Sequence, residues 1–231
     1  MGDDFSNHQI FAGQHPPDEF RNRLVAHLKT CLHDDGFVET FNPEAATRTF
    51  AIGHAKKWIC IYDSFGSGDT ANPKEFVNLS KLLSQLAPVV DIHMDDSCAV
   101  HFRLYENGDE IDRYGNMRGV ASHWESAAER LSFLGKTPLW LPFLDDQNDE
   151  VLLRETWDNH NATAILKRTA QLIGWNETFC FGGFTVDYDG IPVFYREHFG
   201  EEFPTTYGEF LQVFPQLDFF DELYFSTSST R

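Results

Sequence analysis

The chain has 231 residues, of which 42% are hydrophobic and 23% charged, and these globular proportions exclude a disordered or collagen-like protein. Its formal net charge of −18 argues against a binder of nucleic acid or anionic membrane, because contact with phosphates requires a basic surface. No signal peptide and no apolar run of about 18 residues is recognisable. We therefore expect a cytoplasmic protein without a membrane segment and without a cofactor.

Four cysteines are spread along the chain: Cys31, Cys60, Cys98 and Cys180. No two of them form a CxxC pair, and none has a histidine at zinc-finger spacing, so a structural zinc site is not expected. Cys60 and Cys98 lie within apolar runs, where a cysteine behaves as a small hydrophobic residue. We predict that all four thiols are reduced and unligated.

The first predicted element is a helix at about 18–34. Phe20, Leu24, Leu28 and Leu32 recur at i, i+4 spacing, and Gly36 follows as a stop. Two strands are predicted next, at 48–52 and 58–63. The second strand is apolar on both faces, which is typical of a central strand.

A second helix is predicted after Pro73, with Phe76, Leu79, Leu82, Leu83 and Leu86 as its buried face and Pro88 as its end. Strands at 89–94 and 98–105 follow. Asn107-Gly108 is typical of a two-residue hairpin turn, so residues 111–114 should form the returning strand.

The second half begins with helical patterns. Trp124, Ala128 and Leu131 predict one helix, and residues 151–157 and 164–173 predict two more, the last ending at Gly174. An apolar connector spans 140–144 between two prolines. Strands at 179–188 and 191–195 flank Asp189-Gly190, a second hairpin signal.

This element order predicts an α+β fold: a central, mainly antiparallel sheet with helices packed on it, plus a helical and hairpin C-terminal extension. We divide the chain into an N-terminal arm (1–17), a single α+β domain (18–198, with a core unit at 45–115) and an acidic, aromatic C-terminal segment (199–231). One buried core is expected to contain the apolar residues of the best-defined elements: Trp58, Ile59, Ile61, Leu82, Val90, Phe102 and Leu104.

Several short motifs follow one another along the chain: Trp58-Ile-Cys-Ile-Tyr-Asp63, Leu79 to Leu86, Asp95-Asp96, Leu104-Tyr-Glu-Asn-Gly108 and Asp112-Arg-Tyr114. Leu139-Trp140-Leu-Pro and Leu172-Ile-Gly-Trp175 continue it. The arrangement resembles a broad set of uncharacterised bacterial cytosolic α+β proteins and covers roughly residues 18–175. The resemblance implies the fold but no activity, so no functional residue follows from it.

His93, Asp95 and His101 form the most metal-like group. If His93 and His101 pair across a hairpin, two imidazoles and a carboxylate converge as a Zn²⁺ or Fe²⁺ site requires. The alternative is that Asp95-Asp96-Ser97 is a polar turn and the histidines occupy a solvated sheet face, and this alternative is favoured. The loop after Asp63 lacks the lysine of a phosphate-binding loop, and no serine or cysteine has the motif of a nucleophile.

The acidic excess favours a non-enzymatic protein-binding module that binds a basic partner through complementary charge, as toxin-neutralising immunity proteins do. Carboxylates among aromatic rings near the C-terminus are the predicted contact residues: Glu201, Glu202, Tyr207, Glu209, Phe210, Asp218, Phe219, Asp221 and Glu222. The alternative function is a small metal-assisted hydrolase that uses His93, Asp95 and His101.

Overall fold

The structure is a computed structural model that describes residues 5–42, 45–55, 57–64, 78–95, 98–116, 126–146, 149–176, 180, 182–186, 192–196 and 221–227. The strands are β1 (Phe5–Phe11), β2 (Phe37–Thr40), β3 (Arg48–Ala55), β4 (Trp58–Asp63), β5 (Val89–Asp95), β6 (Ala99–Glu106), β7 (Asp109–Gly115), β8 (Gly182–Val186), β9 (Pro192–Arg196) and β10 (Asp221–Thr227). The helices are α1 (Pro17–Asp34), α2 (Leu79–Leu83), α3 (Ala127–Ser132), α4 (Glu150–Trp157) and α5 (Ala162–Ile173), with 3₁₀ turns at Thr137–Leu139 and Leu141–Phe143.

The strands form one sheet in the order β2-β10-β3-β4-β1-β5-β6-β7, and β8 branches from β1 and pairs with β9. All strand pairs found among the described residues are antiparallel. The predicted fold class, an α+β protein with helices on a mainly antiparallel sheet, is therefore confirmed. No helix within these residues combines the length and apolar character that crossing a membrane requires.

The middle of the sheet contains a strand that the sequence patterns missed. β1 lies between β4 and β5, in a region for which the sequence indicated only an N-terminal arm. Its residues Ser6, Asn7, His8 and Gln9 are polar yet buried, so the strand lacks the apolar alternation that identifies strands. Hydrogen bonds compensate the burial: the Gln9 Nε2 donates to Asn7 Oδ1 at 2.8 Å, and the Asn7 Nδ2 donates to the Cys180 carbonyl at 3.1 Å.

Each face of the sheet has its own hydrophobic core, so the prediction of a single core is wrong. Trp58, Val90, Phe102 and Leu104 belong to the first core, under α4 and α5. Ile59 and Ile61 belong to the second core, under α1 and α2. Successive residues of a strand point to opposite faces, so the apolar run of β4 divides between two cores when helices cover both faces. Leu82 is only partly buried and belongs to neither core.

The predictions from local signals are confirmed. α1 covers the predicted helix, begins with Pro17 and buries Phe20, Leu24, Leu28 and Leu32. The β6–β7 hairpin turns at Asn107 and Gly108, whose φ angles of 53° and 88° are those of a type I′ turn. α5 ends at Gly174 in the left-handed region, with φ 77°.

Other predicted elements are found with different bounds. α2 comprises only Leu79–Leu83, begins after the N-cap Asn78, and follows residues 65–77, which lie outside the described part. α3 starts at Ala127, and Trp124 lies outside the described part as well. β8 and β9 pair as the second hairpin predicts, although its turn at Asp189-Gly190 is not among the described residues.

The C-terminal segment contributes a strand to the sheet. β10 inserts between β2 and β3, where Tyr224 lies opposite Thr40 on one side and Thr49 on the other. Phe225 is buried in the second core and meets Phe50 edge-on at 5.7 Å. The division into arm, domain and C-terminal segment stays a prediction.

Candidate functional site

The predicted partner-binding residues fall mostly outside the described part of the chain. Glu201, Glu202, Tyr207, Glu209, Phe210, Asp218 and Phe219 lie in 201–220, of which nothing is described. Asp221 and Glu222 begin β10, where their backbones pair with Ile52 and Ala51 of β3. Contact between this segment and a basic partner therefore stays a prediction.

The pairing of two histidines that the metal-site alternative required is found. His93 on β5 lies directly opposite His101 on β6, and their ring centroids are 6.2 Å apart. Asp95 is on the same strand face as His93 by alternation, but it is exposed and lies opposite Ala99. Among the residues that the structure describes, no three His, Cys, Asp or Glu side chains are grouped to hold a metal ion. The predicted three-ligand set is therefore not assembled.

A surface that the sequence did not indicate lies on the helical side of the first core. The described residues include seven large hydrophobic side chains that are exposed, and five of these lie between residues 131 and 152. These five are Leu131 on α3, Leu134 in the turn after it, Leu139 in the first 3₁₀ turn, and Val151 and Leu152 on α4. Val151 and Leu131 are the most exposed, at 61% and 59%.

Carboxylates lie close in sequence to the two apolar side chains on α4. The stretch from Asp145 to Asp158 carries six acids and one base, Arg154. Glu155 and Asp158 follow Val151 by four and seven residues, so they continue the same exposed side of α4 and the turn that follows it. We call the set Leu131, Leu134, Leu139, Val151 and Leu152, with the carboxylates Glu150, Glu155 and Asp158, the acidic–apolar surface.

Contacts between neighbouring elements hold this surface in place. Gly135 has φ 72°, and a Cβ there would lie 2.4 Å from the Trp157 ring, so only glycine lets this turn approach α4 so closely. The Thr137 hydroxyl donates to Glu150 Oε1 at 3.0 Å, and Arg154 donates to the same oxygen at 2.9 Å. The acidic–apolar surface is therefore built on packed elements rather than on one helix alone.

A cleft of about 550 Å³ opens between the edge strand β7 and the turn after α3. Leu131 and Leu134 form part of its apolar wall, and Lys136 lies at its rim. Asp112 lines it but is buried, because it accepts hydrogen bonds from the Lys136 amide at 2.8 Å and from the Trp140 indole at 2.7 Å. This carboxylate therefore connects the turn to the core.

A serine, a histidine and an aspartate meet beneath α2, on the second face of the sheet. The His8 Nδ1 lies 2.9 Å from Ser80 Oγ and 3.6 Å from Asp91 Oδ1. Both partners approach the same ring nitrogen, whereas a catalytic triad places them on opposite nitrogens. Burial lowers the pKa of His8 to about 4; less strongly, Asp63 raises this pKa and Arg48 lowers it. The group therefore has the geometry of a buried structural network.

Arg48 and Asp63 form a buried ion pair next to this network. The Arg48 guanidinium donates two hydrogen bonds to the Asp63 carboxylate, the Nε–Oδ1 bond being 3.0 Å, and the ring of Phe50 lies 5.0 Å from the guanidinium carbon. Asp63 ends β4 and Arg48 begins the neighbouring β3. The sequence predicted Asp63 only as the end of a strand before a loop, and the structure pairs it with Arg48.

All four cysteines are free thiols. Cys60 is buried as predicted, but Cys98 is exposed, because it lies in the β5–β6 turn rather than within the apolar run that follows. The Cys31 Sγ lies 3.7 Å from His27 Nε2, one helical turn away. Burial, and less strongly Asp34 and Asp35, raise the pKa of Cys31, so this pair does not generate a nucleophilic thiolate.

Comparisons with known proteins identify no relative. No protein-family model matches the chain, and neither the curated proteins nor the solved structures include a significant match.

Proposed function

We propose that the protein is a non-catalytic binding module whose acidic–apolar surface docks a basic protein. The observation that carries the proposal is that five of the seven large hydrophobic side chains exposed among the described residues lie between residues 131 and 152, two of them within the acidic stretch 145–158. Scattered exposed apolar residues are ordinary on any protein, whereas a group of them rimmed by charge is typical of an interaction surface.

The composition of the surface supports a basic partner. The apolar side chains Leu131, Val151 and Leu152 supply area that a partner removes from water, and the carboxylates on α4 and in the turn after it attract positive charge. The whole chain carries a net charge of −18, which extends that attraction beyond the contact itself. Tight neutralisation of a basic protein in the cytoplasm, as immunity proteins achieve, is the proposed role, and the predicted contacts from Glu201 to Glu222 belong to it.

The first experiment identifies the partner by its dependence on this surface. Tagged wild-type protein and the V151S/L152S variant are compared in quantitative affinity capture, with V38S/F41S as the matched control. Val38 and Phe41 are also exposed, at 47% and 93%, but they lie at the end of β2, away from the acidic stretch. A partner of this surface is lost with V151S/L152S and kept with V38S/F41S.

The second experiment measures the purified pair. Surface plasmon resonance should show that E155Q/D158N slows association at low salt by about threefold or more, with the difference disappearing near 0.5 M salt. V151S/L152S should instead act mainly on dissociation. A partner with a salt-independent on-rate, or one that binds both double variants as tightly as wild type, contradicts the proposal.

A further inference from the structure

His93 and His101 are positioned to share a ligand independently of the acidic–apolar surface. They are directly opposed residues on adjacent antiparallel strands, so their Cβ atoms are about 5 Å apart and their side chains leave the same face of the sheet. Both side chains are partly buried. Their ring planes make an angle of 52°, and the centroids are 6.2 Å apart.

These dimensions fit a shared metal ion. A Zn²⁺ ion lies about 2.1 Å from a ligating imidazole nitrogen and therefore about 3.2 Å from the ring centroid. Two rings can share one ion when their centroids are up to about 6.4 Å apart, and side-chain rotations that bring them about 1 Å closer give a tetrahedral angle. The observed centroid distance lies within that limit.

The surroundings of His101 hold its ring near this position. Phe133 meets the His101 ring edge-on, with centroids 5.7 Å apart. Gly115 lies opposite His101 on β7, and a Cβ there would be 3.0 Å from His101 Nδ1 and 3.1 Å from Phe133. The absence of a side chain at Gly115 therefore makes room for the imidazole, and a ligand held in this way loses less entropy on binding.

The charges around the pair are mixed. Asp91 and Asp95 lie two residues before and after His93, so they are on the same face and favour a cation there. Arg103 is two residues after His101 on β6, on the same face, and its positive charge disfavours a cation. Its partner in the strand register is Asp91 on β5, whose negative charge offsets that effect. Asp95 is exposed, and among the described residues no third His, Cys, Asp or Glu completes a metal-binding group with the two histidines.

We propose that His93 and His101 form a two-histidine site for a divalent transition-metal ion of the Zn²⁺ class, with water in the remaining positions. Imidazole is a good ligand for Zn²⁺, Ni²⁺ and Cu²⁺ and a poor one for Mg²⁺, which prefers oxygen. Binding would connect β5 to β6 and stabilise the folded state, because the unfolded chain does not hold the two rings together. With only two protein ligands, the site is suited to an ion that exchanges or regulates, and no catalytic role is proposed for it.

The test is calorimetric titration of the full, tag-free chain with ZnCl₂ at pH 7.5. We expect one saturable site whose affinity falls at least tenfold in H93Q and in H101Q. The double variant should be no more than about twofold weaker than either single variant, because losing one ligand already abolishes the shared site. H33Q is the matched control, since His33 is an exposed histidine on α1, and its affinity should equal that of wild type.

A second measurement needs no substitution. Among the ten histidines, the imidazole NMR signals of His93 and His101 should shift first and together as Zn²⁺ is added, and MgCl₂ should leave them in place. Unchanged affinity in H93Q or H101Q, the absence of saturable binding by wild type, or first shifts at other histidines would each overturn the proposal.

Discussion

The two faces of the sheet are stabilised in different ways. The first core contains a group of aromatic side chains, in which Trp157 stacks on Tyr114 at 4.5 Å and meets Trp140 edge-on at 5.2 Å. The second core contains the leucines of α1 together with the buried Arg48–Asp63 pair and the His8 network. Both faces are closely packed. Among the described residues, the second face has the buried Arg48–Asp63 ion pair, whereas the buried carboxylate of the first face, Asp112, accepts from the neutral donors of Trp140 and the Lys136 amide.

Polar atoms are accommodated differently on the two faces. In the first core the Trp58 indole donates to the Ile173 carbonyl at 3.1 Å, and the Tyr114 hydroxyl donates to the Trp157 carbonyl at 2.8 Å. These neutral hydrogen bonds are independent of pH over the ordinary range. On the second face, folding lowers the pKa of His8, so the contribution of His8 to the stability of the folded state depends on pH. We therefore expect the first face to respond to changes in volume and the second to changes in charge.

The largest effect is expected from removing volume in the first core. Trp58→Ala should lower the free energy of unfolding by about 3–5 kcal/mol, because it deletes a fully buried ring that contacts Phe143 and Trp175. Urea denaturation at pH 7 measures the loss, and Trp58→Phe should recover part of it. A loss below about 1 kcal/mol would contradict the described burial.

A smaller effect, caused by charge rather than by volume, is expected on the second face. Arg48→Met should lower the free energy of unfolding by about 3 kcal/mol, because Asp63 is left as a buried carboxylate without its guanidinium. In R48M/D63N, which leaves no unpaired charge, a substantial part of the loss should return. If the double variant is as unstable as the sum of the two single variants, the charge explanation is wrong.

The pH dependence of stability should arise on the second face. The pKa of His8 is about 4 in the folded protein and about 6.5 in the unfolded chain, so the unfolded chain takes up the proton first as pH falls. Stability should therefore decrease as pH falls from about 6.5 to 4, by up to roughly 3 kcal/mol in all and on the order of 2 kcal/mol at pH 5. Urea denaturation of wild type and His8→Gln between pH 7 and 5 should show a slope that the variant lacks. The exposed-histidine variant His33→Gln should keep the wild-type slope.

The smallest effect concerns a helix over the first core. Asn161 caps α5 by accepting a hydrogen bond from the Ala164 amide at 2.7 Å, so Asn161→Ala should cost about 1 kcal/mol and Asn161→Ser nearly nothing. The loss should be the same at pH 5 and pH 7, because no ionisable group is involved. A pH-dependent loss would show that the two faces are coupled more closely than their separate cores indicate.

The sequence alone determined the elements that depend on neighbouring residues. The turn at Asn107-Gly108 can be predicted from its two residues, because few other dipeptides adopt two positive φ angles. Helix α1 can be predicted from four leucine or phenylalanine side chains at i, i+4 spacing. The pairing of His93 with His101 was only one alternative at the level of sequence, because the register of two strands joined by a short turn depends on the conformation of that turn. One signal of the acidic–apolar surface was present and overlooked. Val151, Leu152 and Leu153 are consecutive on a helix, where successive side chains are about 100° apart and cannot all face one core.

Only the tertiary structure decided the remaining features. β1 became a central strand because β4 and β5 enclose it, although its own residues are polar. β10 is placed between β2 and β3 by pairing with residues about 170 to 190 positions earlier in the chain, which no local pattern encodes. Trp58 and Ile59 point to opposite faces of the sheet, and they lie in different cores because helices cover both faces. Strand order and the covering of each face are set by long-range contacts, so the same apolar pattern is compatible with one core or with two.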